Sequence, residues 1–238
     1  MNEFAFLWRT PAALLSIALL SCGGDLTLPG SSAAGLRVAV VTGDNQQGAV
    51  GQPLPEPVVV VVKTDAGQPM ADRRVDFVAQ TAGGGGFDPA TTVTNSVGEA
   101  STHWVLGTAP GVYMAEARVV APDTTVQPAV AFQAAAVAGA PDTLRPVGPT
   151  SQPGRRGEPL AEPLVVMTVD QFGNPVPGAT VDWTADEGEL SAETTVTGAD
   201  GTASVTWTLG DKIGFRKAAA RVEGAKGSPV TFTAVVLF

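Results

Sequence analysis

The chain has 238 residues with 14 basic against 23 acidic side chains, and its net charge of −9 repels nucleic-acid phosphates, so no nucleic-acid partner is expected. That length holds one large domain or two of about 100 residues, each able to bury a core. With 28 glycines, 19 prolines and alternating runs such as "TVTG" and "ASVTWTL", and no sustained helical apolar spacing beyond the N-terminus, the composition is that of an all-β protein.

The first element is the N-terminal segment. Residues up to Arg9 give a positive end, and "TPAALLSIALL" at 10–20 follows as an apolar run of signal-peptide length. It is shorter than the about 20 apolar residues a membrane-spanning helix needs. The run stops at "LLSCGG", which holds Cys22, the only cysteine in the chain. Leu19, Leu20, Ser21 and Cys22 resemble the bacterial lipobox, a leucine three residues before the cysteine and a small residue just before it. The resemblance implies that residues 1–21 are a lipoprotein signal peptide cleaved after Ser21. Cys22 would then carry a diacylglyceryl thioether and an acylated amino group, holding the protein to a membrane through acyl chains. Each buried methylene contributes about 0.8 kcal/mol, and several chains anchor stably where one does not. A thioether also cannot oxidise, which suits a lone cysteine in an oxidising envelope. Gly23 stands where the retention signal of the enteric inner membrane has Asp, so the resemblance points to the outer membrane.

Residues 22–35 continue as a flexible tether, "GGDLTLPGSSAAG" after the cysteine, with small and polar residues and no periodicity. At 5–6 Å times the square root of its length it reaches about 20 Å.

Beyond the tether the chain repeats itself. "GQPLPEP" at 51–57 returns as "GEPLAEP" at 157–163, and "GQPMADRRVDF" at 67–77 as "GNPVPGATVDW" at 173–183. "TVTNSVGEASTHWVLG" at 92–107 matches "TVTGADGTASVTWTLG" at 195–210, the lost residues falling in "TAGGGG" of the first copy. Two domains follow, at 36–138 and 142–238, joined by a linker at 139–141. The linker is short and contains Pro141, so the pair reads as a semi-rigid rod, with a flexible hinge as the alternative.

Within each copy the side chains alternate. Val75, Phe77 and Ala79 face inward, as do Val181, Trp183 and Ala185; Ala100, Thr102, Trp104 and Leu106 form a second inward row, matched by Ala203, Val205, Trp207 and Leu209. Phe77, Trp104, Trp183 and Trp207 are therefore core pegs rather than ligand contacts. Pro53, Pro55, Pro57, Pro159 and Pro163 fall where an edge strand would begin and would deny ladder donors to a neighbouring chain. About seven short strands per copy, with turns every 8–12 residues and no helix, indicate two tandem immunoglobulin-like β-sandwiches. The run "VDQFGNPVPGATVDWTADEGELSAETTVTGADGTASVTWTLG" resembles the bacterial Ig-like group one domain of invasin and intimin type surface proteins. The first copy departs from it, with Ala66 at the position of Phe172 and Val97 at that of Asp200.

Little in the chain carries catalysis. His103 is the only histidine and alternates outward against Trp104, so zinc sites and Cys-His or Ser-His-Asp arrangements lack their parts. Asp186, Glu187 and Glu189 surround Gly188 in a loop that could offer oxygen ligands to calcium, but the first copy has no carboxylate there. "GGGG" at 83–86 lacks the Lys and Ser or Thr of a phosphate loop and reads as a flexible loop. The paired cations Arg73 with Arg74, Arg155 with Arg156, and Arg216 with Lys217 read as solvated faces. No enzyme activity, cofactor or metal is expected. Together the two resemblances imply a lipid-anchored protein of the bacterial cell envelope whose tandem domains would act as a non-catalytic spacer, adhesion or binding module toward a protein or glycan. The alternative is a periplasmic-facing scaffold or accessory subunit of an envelope enzyme or secretion complex.

Overall fold

The computed structural model of the chain describes residues 35–120 and 127–237. The lipobox residues Leu19, Leu20, Ser21 and Cys22, and nearly all of the tether, lie outside the described residues. The described strands fall within one compact unit, Ala33–Phe238.

In chain order the first sandwich is built from β1 (Leu36–Thr42), β2 (Gln46–Ala49), β3 (Val58–Thr64), β4 (Arg74–Ala79), β5 (Gly86–Asp88), β6 (Thr91–Val93), β7 (Glu99–Val105), β8 (Gly111–Val119) and β9 (Ala129–Val137). One sheet runs β1-β3-β7-β5 and the other β2-β9-β8-β4-β6. The second sandwich comprises β10 (Thr143–Val147), β11 (Ser151–Arg155), β12 (Leu164–Val169), β13 (Thr180–Ala185), β14 (Glu189–Leu190), β15 (Thr194–Val196), β16 (Thr202–Val205), β17 (Trp207–Thr208), β18 (Gly214–Arg221) and β19 (Val230–Leu237). Its sheets run β10-β12-β16, continued by β14-β17, and β11-β19-β18-β13-β15. The described residues are all-β, in immunoglobulin-like sandwiches.

Period-two alternation dictates these strands. In β3, Val58, Val60 and Val62 are buried, and Val59 and Val61 turn toward the outer face. Every residue of the two inward rows through Trp104 and Trp207 is buried, including Thr102, whose hydroxyl donates to the Pro89 carbonyl at 2.6 Å. Each sandwich closes on its own core. Phe87 stands 5.2 Å from Trp104 and 5.8 Å from Phe77 in the first, and Trp183 meets Phe232 at 6.3 Å in the second. Offset and tilted aromatic pairs of this kind add about 0.5–1.5 kcal/mol beyond the area they bury.

The first copy has nine described strands and the second ten against the seven expected, and one of the additional strands in each arises because the opening strand changes sheets. β1 pairs antiparallel with β3, whereas β2 pairs parallel with β9 in the opposite sheet. Gly43 (φ 90°) and Asn45 (φ 58°) make the turn between them. In the second copy β10 and β11 divide in the same way, with Gly148 (φ 85°) between them.

Two expectations are corrected. The prolines at 53–57 and at 159 and 163 do not open an edge strand. The strands that follow them, β3 and β12, lie between two neighbours, and the proline segments carry the chain from one sheet to the other. Pro146 in β10 and Pro153 in β11 are the prolines that do sit in edge strands. The glycine run at 83–86 is also not a free loop. The Gly84 carbonyl accepts the Trp104 indole N–H at 3.0 Å, and Gly85, at φ 87°, packs against the backbone of Val105 to Gly107. The Glu187 carbonyl does the same for Trp207 at 2.9 Å, next to Gly188 at φ 84°.

The turn before β7 survives the replacement of Asp200 by Val97. Gly98 (φ 79°) and Gly201 (φ 72°) close the same turn onto Asn95 and Gly198. The Asn95 side chain supplies the acceptor that Val97 lacks, taking the N–H groups of Val97 and Glu99 at 3.0 Å each. In the second copy Asp200 takes the Thr202 N–H, also at 3.0 Å.

Candidate functional site

With the described tryptophans spent on the cores, the side chains left for function are on the loops and outer faces. Trp104, Trp183, Trp207 and Phe77 are all buried, so they offer no stacking platform to a ligand. His103 is exposed on β7, in register with Asp88 across the ladder.

The acidic loop is engaged by its own domain rather than converging on a point. Asp186 Oδ1 accepts the Lys217 N–H at 3.0 Å. Glu187 Oε1 accepts the Lys212 N–H at 3.2 Å, and its buried Oε2 lies 2.9 Å from Arg216 Nε as a charge contact rather than a well-directed hydrogen bond. Glu189 belongs to β14 and is exposed. Among the described residues no group of three or more His, Cys, Asp or Glu side chains could hold a metal ion.

Of the paired cations, Arg74 meets Asp76 at 3.0 Å and Arg216 meets Glu187, whereas Arg155 and Arg156 are exposed. Ion pairs at exposed positions contribute about 0–1 kcal/mol.

Sequence reasoning missed an apolar surface on the second domain. Phe215 is 72% exposed and Ile213 46%. Phe215 lies across from Val235, and Leu237, two residues on along β19, is 49% exposed. In the first domain Val112, 61% exposed, holds the corresponding place across from Ala135. The available signal was that Phe215 opens a strand whose inward positions, Ala218 and Ala220, are small. Grouped exposed apolar side chains of this kind mark contact surfaces, as scattered ones do not.

Among the described residues, three carboxyls titrate low. The Lys226 ammonium and the Thr143 hydroxyl hold Asp142 below the usual carboxylate range, and the Thr202 N–H does so for Asp200. Burial alone would push Asp170 up. The Asn174 side chain and the N–H groups of Gly139, Asn174 and Phe172 outweigh that and hold it down. Such a carboxyl adds stability in full above the about 3.9 of a free Asp, and the contribution is lost as pH falls through the lowered folded value. Wild type and Asp170→Asn should therefore differ more in denaturant midpoint near pH 6 than near pH 3, both rough limits set by that carboxyl's range. A difference that stays constant with pH would remove Asp170 from the acid response.

Residues 161–235 match the family model of the bacterial Ig-like domain (group 1). Among solved structures the chain is similar to FdeC, an Escherichia coli adhesin, at 17% identity and a TM-score of 0.53, over 84% of this chain and 64% of that one. It also aligns with the D0-D1 domain of intimin, at 19% identity and a TM-score of 0.30, over 83% of this chain and 94% of that one. A further alignment is with invasin, a bacterial integrin-binding protein, at 25% identity and a TM-score of 0.38, over 84% of this chain. The chain thus spans 64% of the FdeC chain and 39% of the invasin chain. No curated protein sequence matches it. Residues 161–235, about a third of the chain, thus match the bacterial Ig-like domain (group 1), within a tandem of Ig-like sandwiches similar in fold to a bacterial adhesin.

Proposed function

We propose that this is a lipid-anchored protein of the bacterial cell envelope, held to the outer membrane through acyl chains on Cys22. Its two domains, 36–138 and 142–238, serve as a non-catalytic module that carries a binding surface away from the membrane toward a protein or glycan. The observation that carries the reading is the order of parts: an apolar run ending in Leu19, Leu20, Ser21 and Cys22, then a small polar tether, then two sandwiches whose tryptophans are taken up by their cores. Similarity of fold to an adhesin supports the binding role, and so does the exposed group of Ile213, Phe215 and Leu237.

Intact mass of the purified protein tests the anchor. The mature chain should begin at Cys22 and carry the mass of a diacylglyceryl group and an amide-linked acyl chain. The Cys22→Ala chain should move from the detergent phase to the aqueous phase. A mature chain without added lipid would sink the proposal.

A further inference from the structure

The turn after β12 and its counterpart after β3 share a backbone but not side chains. Asp170 N–H bonds the Asn174 carbonyl at 2.9 Å as Thr64 N–H bonds Gln68, also at 2.9 Å, and Gly173 (φ 86°) matches Gly67 (φ 82°). The second copy places Asp170, Phe172 and Asn174 where the first has Thr64, Ala66 and Gln68. These three side chains reach beyond their own turn.

Phe172 lies on the first domain at Gly51. A β-carbon there would stand 2.5 Å from Phe172 Cζ and 2.7 Å from Cε2, so a side chain at this position would displace the ring from its seat. Gly51 is held at φ 68° and its N–H donates to the Gly107 carbonyl at 2.9 Å. The Asn174 side-chain amide donates to the Thr108 carbonyl of the first domain at 2.8 Å, and to Asp170 Oδ2 at 2.9 Å. The same Asp170 oxygen accepts the Gly139 N–H of the linker at 3.0 Å, while Oδ1 takes the N–H groups of Phe172 and Asn174 at 2.9 Å each.

We infer that residues 170–174 form a locking joint: Gly51 and the Thr108 carbonyl are a socket on the first domain for Phe172 and Asn174, and Asp170 clamps the linker, so the two sandwiches move as one body. Domains joined by a short linker and a small polar interface otherwise move relative to one another. A ring against a glycine together with a bonded amide fixes both tilt and rotation, which neither contact does alone. Asp170 acts as a positioning residue, since the bonds it accepts orient Asn174 and hold Gly139 against the turn. Phe172 keeps 42% of its surface exposed even when seated, and among the described residues Phe215 is the other exposed large aromatic. The joint involves only residues 51–174 and stands apart from the anchor at Cys22.

The test is a spin-label distance distribution on the full chain in a Cys22→Ala background, with labels at Ser101→Cys and Ser204→Cys, both exposed and one on each domain. The wild-type joint should give one narrow distribution. Phe172→Ala with Asn174→Ala should broaden it at least about twofold, toward the free motion expected of an unfixed domain pair. Gly51→Val, which expels the ring from the other side, should broaden it likewise, and it decides the matter if the double variant fails to fold. A parent chain as broad as the variants, or variants as narrow as the parent, would overturn the inference.

Discussion

Trp207→Ala should cost the second domain about 3–5 kcal/mol. The indole is fully buried among Val166, Val205, Phe232 and their neighbours. Its removal leaves a cavity that two sheets held by their own ladders cannot collapse to fill. It also orphans the Glu187 carbonyl, which accepts the indole N–H at 2.9 Å. Domains of this kind are stable by about 0.05–0.15 kcal/mol per residue, so the loss removes much of the second domain's stability. Trp207→Phe keeps most of the packing and loses the hydrogen bond, and should cost about 1–3 kcal/mol, the usual penalty for one unsatisfied buried carbonyl. Denaturant unfolding checks both, with the first domain's transition as internal reference. A shift for Trp207→Ala below about 1 kcal/mol, the range of an ordinary substitution, would show that the indole is not a central support.

Gly85→Val should be nearly as damaging to the first domain. At φ 87° a β-branched residue is strained, and the added carbon would meet the carbonyl carbon of Leu106 at 2.7 Å and Gly107 N at 2.8 Å. Backbone strain of about 1–3 kcal/mol adds to a similar overpacking cost. The segment cannot retreat without pulling the Gly84 carbonyl off Trp104. Melting temperature should fall by roughly 4–8 °C for each kcal/mol lost in a domain of this size. Gly86→Ala is the control, because nothing lies within 4 Å of its β-carbon and its φ is not in the left-handed region. Equal melting points for the two variants would contradict the close approach.

Much of this fold was legible because alternation and repetition both report on burial. The rows ending at Leu106 and Leu209 could be read from period two, and the two copies confirm each other residue by residue. What escaped reading depended on contacts between segments distant in sequence. The glycine run looked free because a backbone carbonyl's partner, here the Trp104 indole, leaves no mark in its own sequence. The prolines were placed on an edge because pairing order in a sheet is set by topology, which local composition does not carry. Phe172 could be seen as a departure between the copies, but its purpose depends on Gly51, more than a hundred residues earlier. The exposed face of Phe215 was hidden for a related reason, since an apolar residue at a strand's start reads as core until its ladder partners are known.

Protease treatment of intact cells, with Cys22→Ala run beside the parent chain, tests most directly whether the sandwiches are held on the envelope and displayed outward. Proteinase K should cut the tether at 22–35 and release the sandwiches from intact cells carrying the parent chain, while cells carrying Cys22→Ala should have nothing at the surface to release. A parent chain that stays protected until the outer membrane is broken would contradict display and favour a scaffold facing the periplasm.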